Sequence, residues 1–256
     1  MLIDTHAHLD FPKFKNDQAE VIQRAKEAGI EYIFNIGADE RSSKASVALA
    51  RKYPQIYAAV GVHPHDAKDV TGDTLRLLRD LAQEKKVRAI GEIGLDYHYD
   101  FSPRDIQQRV FRAQLRLAHE LKLPVIIHSR EADEDTMRIL KEEEVDKLGG
   151  IMHCFAGDLK MAEECLKLNL KLAFGGVITF PNAKTAREVV KAIPLEHLLL
   201  ETDSPYLTPV PYRGKRNEPA YVRYVAEKVA KIKGVELEEV AQVTTRTAKE
   251  IFKIEV

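Results

Sequence analysis

Eight short apolar runs, each followed by a longer stretch with apolar residues at helical spacing, restrict this chain more than any other feature. The runs are Leu2-Ile3, Ile30 to Ile36, Ile56 to Val60, Val87 to Ile90, Val125 to Ile127, Gly150 to Met152, Lys171 to Phe174 and His197 to Leu200. Helical spacing covers Gln18 to Ala28, Arg41 to Lys52, Thr74 to Lys85, Arg104 to Leu121, Asp133 to Glu144, Leu159 to Leu168, Ala183 to Ala192 and Pro219 to Ile232. The runs are predominantly apolar instead of alternating, as parallel strands covered on both faces must be. Eight such units of roughly 30 residues predict an α/β chain closed into a (β/α)8 TIM barrel, a fold of about 250 residues. The chain has 256. A doubly wound open sheet is the competing arrangement of the same units. A further helical stretch, Leu237 to Phe252, follows the last unit and is expected to cover the outside or base of the barrel. Without a linker, a low-complexity tract or any other repeat, residues 1–256 read as a single domain.

Composition excludes several function classes. A formal charge of -1 leaves no basic envelope, so a polyanionic partner has to be held by a local patch or by metal ions. The two cysteines, Cys154 and Cys165, are too few to staple a fold of this size and favour a reducing, cytoplasmic location. The start Met1-Leu2-Ile3-Asp4 has no signal-peptide pattern, and no apolar run approaches the roughly 18 residues of a membrane span. Nothing in the sequence marks an oligomer, and a monomer is expected.

The strand ends carry the chemistry. In an extended strand, side chains two apart share a face, so Ile3-Asp4-Thr5-His6-Ala7-His8 delivers two imidazoles to one side. A lone His-x-His is an ordinary polar pair. Here, however, the fourth strand is followed by Glu92, the fifth ends in His128, the sixth in His153 and the eighth in Asp203. A barrel opens all its strand carboxyl ends on one face, so His6, His8, Glu92, His128, His153 and Asp203 are expected to converge. Four imidazoles and two carboxylates exceed one tetrahedral ion and suit two divalent ions about 3.5 to 4 Å apart with a bridging carboxylate. Glu92 is expected to be that bridge, with His6, His8 and Asp203 on one ion and His128 and His153 on the other. The ligand imidazoles need a hydrogen-bonding partner behind them, and Asp4, Asp10 and Asp96 are the candidates.

An ordered series of motifs resembles the TatD family of metal-dependent deoxyribonucleases, among the amidohydrolase-like barrels, from Met1 to about Phe252. It consists of Asp4-Thr5-His6-Ala7-His8-Leu9-Asp10, Gly61-Val62-His63-Pro64-His65, Gly91-Glu92-Ile93-Gly94-Leu95-Asp96-Tyr97, His128-Ser129-Arg130-Glu131-Ala132, His153-Cys154-Phe155-Ala156-Gly157, Glu201-Thr202-Asp203-Ser204-Pro205-Tyr206-Leu207 and Arg213-Gly214-Lys215-Arg216-Asn217-Glu218-Pro219. Glu131 stands where many members carry Asp, and Ala156 where Ser is frequent; neither is an expected ligand. The resemblance implies a (β/α)8 fold, divalent-metal dependence and hydrolysis of phosphodiesters in DNA, in some members also RNA, here read as exonucleolytic. It also places His63 and His65 near the scissile phosphate and includes Asn217 among the substrate contacts.

Two cations neutralise a phosphate and lower the pKa of a water, and Asp203 is expected to be both ligand and proton acceptor. Arg130, Arg213, Lys215 and Arg216 lie in loops after the fifth and eighth strands, where guanidinium groups grip phosphate oxygens. Tyr206, Tyr212 and Phe180 are candidate stacking surfaces for unpaired bases, with core packing expected of Phe180. Imidazoles favour Zn2+ and carboxylates with phosphate favour Mg2+ or Mn2+, so Zn2+ is expected as a retained ion and Mg2+ or Mn2+ in turnover. The alternative is a hydrolase of a lactone, an amide or a D-aminoacyl-tRNA ester, since the same metals polarise a carbonyl. The basic loop from Arg213 to Arg216 favours phosphate.

Overall fold

A computed structural model describes residues 1–254, so the last two positions of the expected 1–256 domain lie outside the described residues. Its eight strands are β1 (Leu2–Ala7), β2 (Ile30–Ile36), β3 (Ile56–Val60), β4 (Val87–Asp96), β5 (Val125–Arg130), β6 (Gly150–Met152), β7 (Leu170–Phe174) and β8 (Leu198–Leu200). The helices are α1 (Gln18–Glu27), α2 (Glu40–Lys52), α3 (Gly72–Leu81), α4 (Arg104–Leu121), α5 (Asp133–Glu142), α6 (Leu159–Lys167), α7 (Lys184–Ala192), α8 (Val222–Lys233) and α9 (Leu237–Ile251). The strands follow one another in a single sheet in sequence order, with a helix after each, and the fold is the expected (β/α)8 barrel with an added C-terminal helix.

The chain divides into two compact units. The first, Met1–Asn35 with Cys154–Glu164 and Leu172–Val256, holds both ends of the sheet. Here β1 meets the segment that follows β8 through a parallel bridge between Ala7 and Ser204, and the His8 amide donates to the Ser204 carbonyl at 2.8 Å. Helix α9 covers the base, as expected: Thr245 donates to the Met1 carbonyl, Thr247 to the Glu196 carbonyl, and Lys249 pairs with Glu31 at 2.7 Å. All three partners lie at or just before the amino ends of β1, β8 and β2.

The second unit, Ile36–His153 with Cys165–Lys171, contains β3 to β6 in parallel register, pairing Val60 with Ile90, Gly94 with His128 and Ile127 with Met152. Strand β4 is longer than its apolar run suggests and carries Glu92 inside it, not just past its end. The glycines explain the difference. Glycine reads as a strand breaker, but a Cβ on Gly94, whose φ is +144°, would collide with the His128 carbonyl oxygen. Glycine there lets β4 and β5 continue side by side to Asp96 and Arg130, so β5 likewise runs past His128.

Candidate metal centre

In the first unit, the two-residue period of β1 sets His6 and His8 side by side. Their Nε2 atoms are 3.1 Å apart, and Asp203 Oδ1 lies 3.9 Å from the first and 3.6 Å from the second. At most one hydrogen bond can join the two imidazoles, and the carboxylate oxygen beside both completes a triangle of lone-pair donors. Two nitrogens and an oxygen within 4.8 Å of one another fit a divalent cation.

The backbone beneath this triangle is held by one buried carboxylate. Asp4 accepts from the Thr202 amide at 2.9 Å, the Thr202 hydroxyl at 2.6 Å and the His6 amide at 3.3 Å. Burial pushes the Asp4 carboxyl up to about 8, against the pull of the Thr202 hydrogen bonds. The Asp203 amide then donates to the His6 carbonyl at 2.9 Å. Asp203 has φ +54°, a left-handed conformation that costs a non-glycine residue energy and persists only where its surroundings fix it. Glu201, which ligand spacing did not single out, is fully buried and accepts from the Cys154 amide at 2.7 Å.

In the second unit, Glu92 Oε1 faces three imidazoles: His128 Nδ1 at 3.0 Å, His63 Nε2 at 3.7 Å and His153 Nε2 at 3.7 Å. This is again a mixed nitrogen and oxygen donor set of the kind a divalent cation takes. The other nitrogen of His128, Nε2, lies 3.1 Å from Asp96 Oδ2, which also stands 3.1 Å from His65 Nε2. Burial alone would lower the His128 pKa, but hydrogen bonds to Asp96 and Glu92 hold it above the ordinary imidazole value. Burial would raise Asp96, and the hydrogen bonds from His128, the Tyr99 amide and His65 instead keep it well below the usual carboxylate range. His63 behaves differently. Burial outweighs Glu92 and drives its pKa well below that of an ordinary imidazole, keeping it neutral, as a ligand must be.

Of the three aspartates expected behind the imidazoles, Asp96 is the one that contacts them. Asp4 braces backbone, and Asp10 accepts from the Asn35 side chain at 3.0 Å. His63, expected as a substrate contact, stands within ligand distance of Glu92 and His128. Its partners lie some 30 and 65 positions away in sequence, and no spacing rule reaches that far.

The expected substrate contacts divide into exposed and spent groups. Arg130 is exposed, with its guanidinium 4.9 Å from the Tyr99 ring centre. Arg213 is exposed and lies 3.7 Å from the Phe180 ring centre. His65 is half-buried against Asp96. Asn217 is a correction: it is fully buried, and its amide donates to the carbonyls of Thr202 at 2.8 Å and Tyr206 at 2.6 Å. It therefore ties down the loop that presents Asp203 and has no reach to a substrate. Arg216 is also spent internally, on Asp17 at 2.6 and 2.8 Å and on the Lys13 carbonyl at 2.6 Å.

The family model described as TatD related DNase matches residues 3–253. The chain is 52% identical to a protein named uncharacterized metal-dependent hydrolase YabD from Bacillus subtilis, over 99% of this chain and 100% of that one. It is 36% identical to a 3'-5' ssDNA/RNA exonuclease TatD from Erwinia tasmaniensis, again over 99% and 100%. Among solved structures it is similar to YJJV, a TatD homologue from Escherichia coli, with a TM-score of 0.93 and 34% identity over 99% of this chain and 98% of that one.

Proposed function

This chain belongs to the TatD-related DNase family, and from that premise we propose that it is an exonuclease that hydrolyses phosphodiester bonds of single-stranded DNA, and of RNA, with two divalent cations as cofactors. The observation that carries the reading is the doubled donor set, His6, His8 and Asp203 in one unit and Glu92, His128 and His153 in the other, each pairing imidazoles with a carboxylate. In a (β/α)8 fold active-site residues lie at the carboxyl ends of the strands, so we assign the six residues to the binding of two divalent cations and residues 1–256 to one catalytic domain. Glu92 would offer its carboxylate oxygens to the cations, and His63 would be a further imidazole on the side of His128. Bound there, the cations supply charge for the phosphate and acidify a water.

The remaining work falls to the chain's own groups. Asp203 keeps 16% of its side-chain surface exposed, which leaves it open to solvent, and it accepts the proton of the attacking water. Asp4 and Asn217 hold Asp203 in its left-handed turn, so the carboxylate is aimed before substrate arrives. Of the expected substrate contacts, Arg130 and Arg213 are exposed guanidinium groups, and they grip phosphates of the substrate. His65, held by Asp96 at 3.1 Å, lies toward the same region. A formal charge of -1 implies a weak, salt-sensitive hold on the polymer.

We assign Mg2+ or Mn2+ to turnover and Zn2+ to the ion retained on purification, and read the protein as a cytoplasmic monomer. Among the described residues no helix is long and apolar enough to cross a membrane. Digestion of end-labelled single- and double-stranded oligonucleotides across a metal series tests the whole reading. Shortening from the 3' end of the single strand, dependent on added metal, is expected. Intact oligonucleotides alongside cleavage of a lactone or an aminoacyl ester would transfer the assignment to carbonyl chemistry.

A further inference from the structure

The loop between β4 and α4 carries two large rings on the surface. Tyr99 is 47% and Phe101 56% exposed, although burying such rings is normally favourable. They do not point apart. Their centres are 5.2 Å from each other with planes inclined by only 21°, so they form a stacked pair open to solvent. The Arg130 guanidinium lies 4.9 Å from the Tyr99 ring centre, and His65 meets both rings edge-on at 5.4 and 4.8 Å.

The start of the loop is fixed to the metal-ligand cluster through Asp96. Asp96 Oδ1 accepts the amides of His98 at 3.1 Å and Tyr99 at 3.0 Å, while its Oδ2 faces His128 and His65, each at 3.1 Å. Farther along, the Gln107 amide donates to the carbonyls of Asp96 and Ser102, and the Ser102 hydroxyl donates to the His65 carbonyl at 2.8 Å. The loop is thus pinned at its start to Asp96, which orients His128, and at its end to the His65 carbonyl. Exposed rings on a rigid mount, with a cation beside them, are what a planar aromatic ligand bearing a negative charge requires.

We infer that Tyr99 and Phe101 form the stacking platform for one nucleobase of the substrate, with Arg130 taking the phosphate attached to that nucleotide. This rests on the nuclease reading above and adds a specificity element to it: the enzyme needs an unpaired, intact base at this position. A base held in a duplex has its faces covered and cannot stack here, so the platform is a physical reason for single-strand preference. Stacking is tolerant of sequence, because every base has a π face.

The test uses two readouts. The first is quenching of 2-aminopurine fluorescence when an oligonucleotide carrying it binds the metal-loaded protein. The second is the KM ratio between that oligonucleotide and one made abasic at single positions. The wild-type chain is expected to quench the probe and to disfavour one abasic position by roughly tenfold to a hundredfold. The Tyr99→Ala/Phe101→Ala variant should lose both effects, and Tyr99→Phe/Phe101→Tyr, which keeps both rings, should retain them. Quenching and discrimination that survive in the alanine variant would overturn the platform. Failure of the nuclease reading looks different: no cleavage by wild type, with quenching still dependent on the two rings. Neither cleavage nor quenching would remove both.

Discussion

Asp96 and His128 face each other across the β4–β5 ladder, Oδ2 to Nε2 at 3.1 Å, while the other nitrogen of His128 faces Glu92 at 3.0 Å. The imidazole is therefore fixed from both sides, by the carboxylate expected to share its cation and by Asp96 behind it. Because the Asp96 carboxyl is held ionised well into acid, it orients the ring throughout the neutral range.

Replacing Asp96 with Asn keeps the shape and an oxygen for the loop amides but removes the charge. Carboxylates behind ligand imidazoles typically contribute 10- to 100-fold in metal affinity. Asp96→Asn is accordingly expected to weaken Mn2+ or Zn2+ binding by roughly tenfold or more, read by calorimetric titration of the metal-free protein. Unchanged affinity would show that His128 needs no partner on that side.

Asp203→Asn and Asp203→Ala test the proton acceptor. Asn retains an oxygen beside His8 but cannot take a proton at neutral pH. A drop in kcat of about 10²- to 10⁴-fold with a small change in KM is expected of it. If cleavage by Asp203→Asn kept the wild-type kcat, the base would have to be sought elsewhere.

The sequence announces the barrel because eight runs are apolar on both faces, and it announces His6, His8, Glu92, His128, His153 and Asp203 because each interrupts or ends such a run. Within the two units, His6, His8 and Asp203 are adjacent, and so are Glu92, His128 and His153. Side-chain partnerships over long distances were not legible. Arg216 and Asn217 read as substrate contacts on a basic loop until Asp17 and Thr202, distant in sequence, are seen to occupy them. Strand β4 was cut short for a related reason: Gly91 and Gly94 look like a break unless the neighbouring strand is known. Tyr99 and Phe101 gave no periodic signal at all, being in a loop.

Thr202→Val isolates the brace under Asp203. Valine has nearly the same shape, but Asp4 would lose its 2.6 Å donor while fully buried. A buried acceptor deprived of a partner costs about 1–3 kcal/mol. For a chain of this size that corresponds to a fall of several degrees in melting temperature. Activity should fall further than stability alone explains, because the Asp203 turn is built on that bond. Wild-type melting would mean that Asp4 is satisfied without Thr202.

The pair Asp17 and Arg216 predicts an acid-side change in stability. Two hydrogen bonds from Arg216, with burial opposing them, hold the Asp17 carboxyl below its ordinary value of 3.8. A carboxyl with a lowered pKa in the folded state binds fewer protons there than in the unfolded chain. Its stabilisation is fully present above the ordinary value and is lost as pH falls through the folded one. Asp17→Asn should therefore melt lower than wild type at pH 7, and the two should converge below about pH 3. The side chains are a third exposed, so screening keeps the difference at neutral pH to about 1 kcal/mol. Melting curves from pH 3 to 7 at low and high salt decide it: a gap that is constant with pH would assign the loss to packing of the Arg216 loop, and a gap that closes in acid assigns it to the charge.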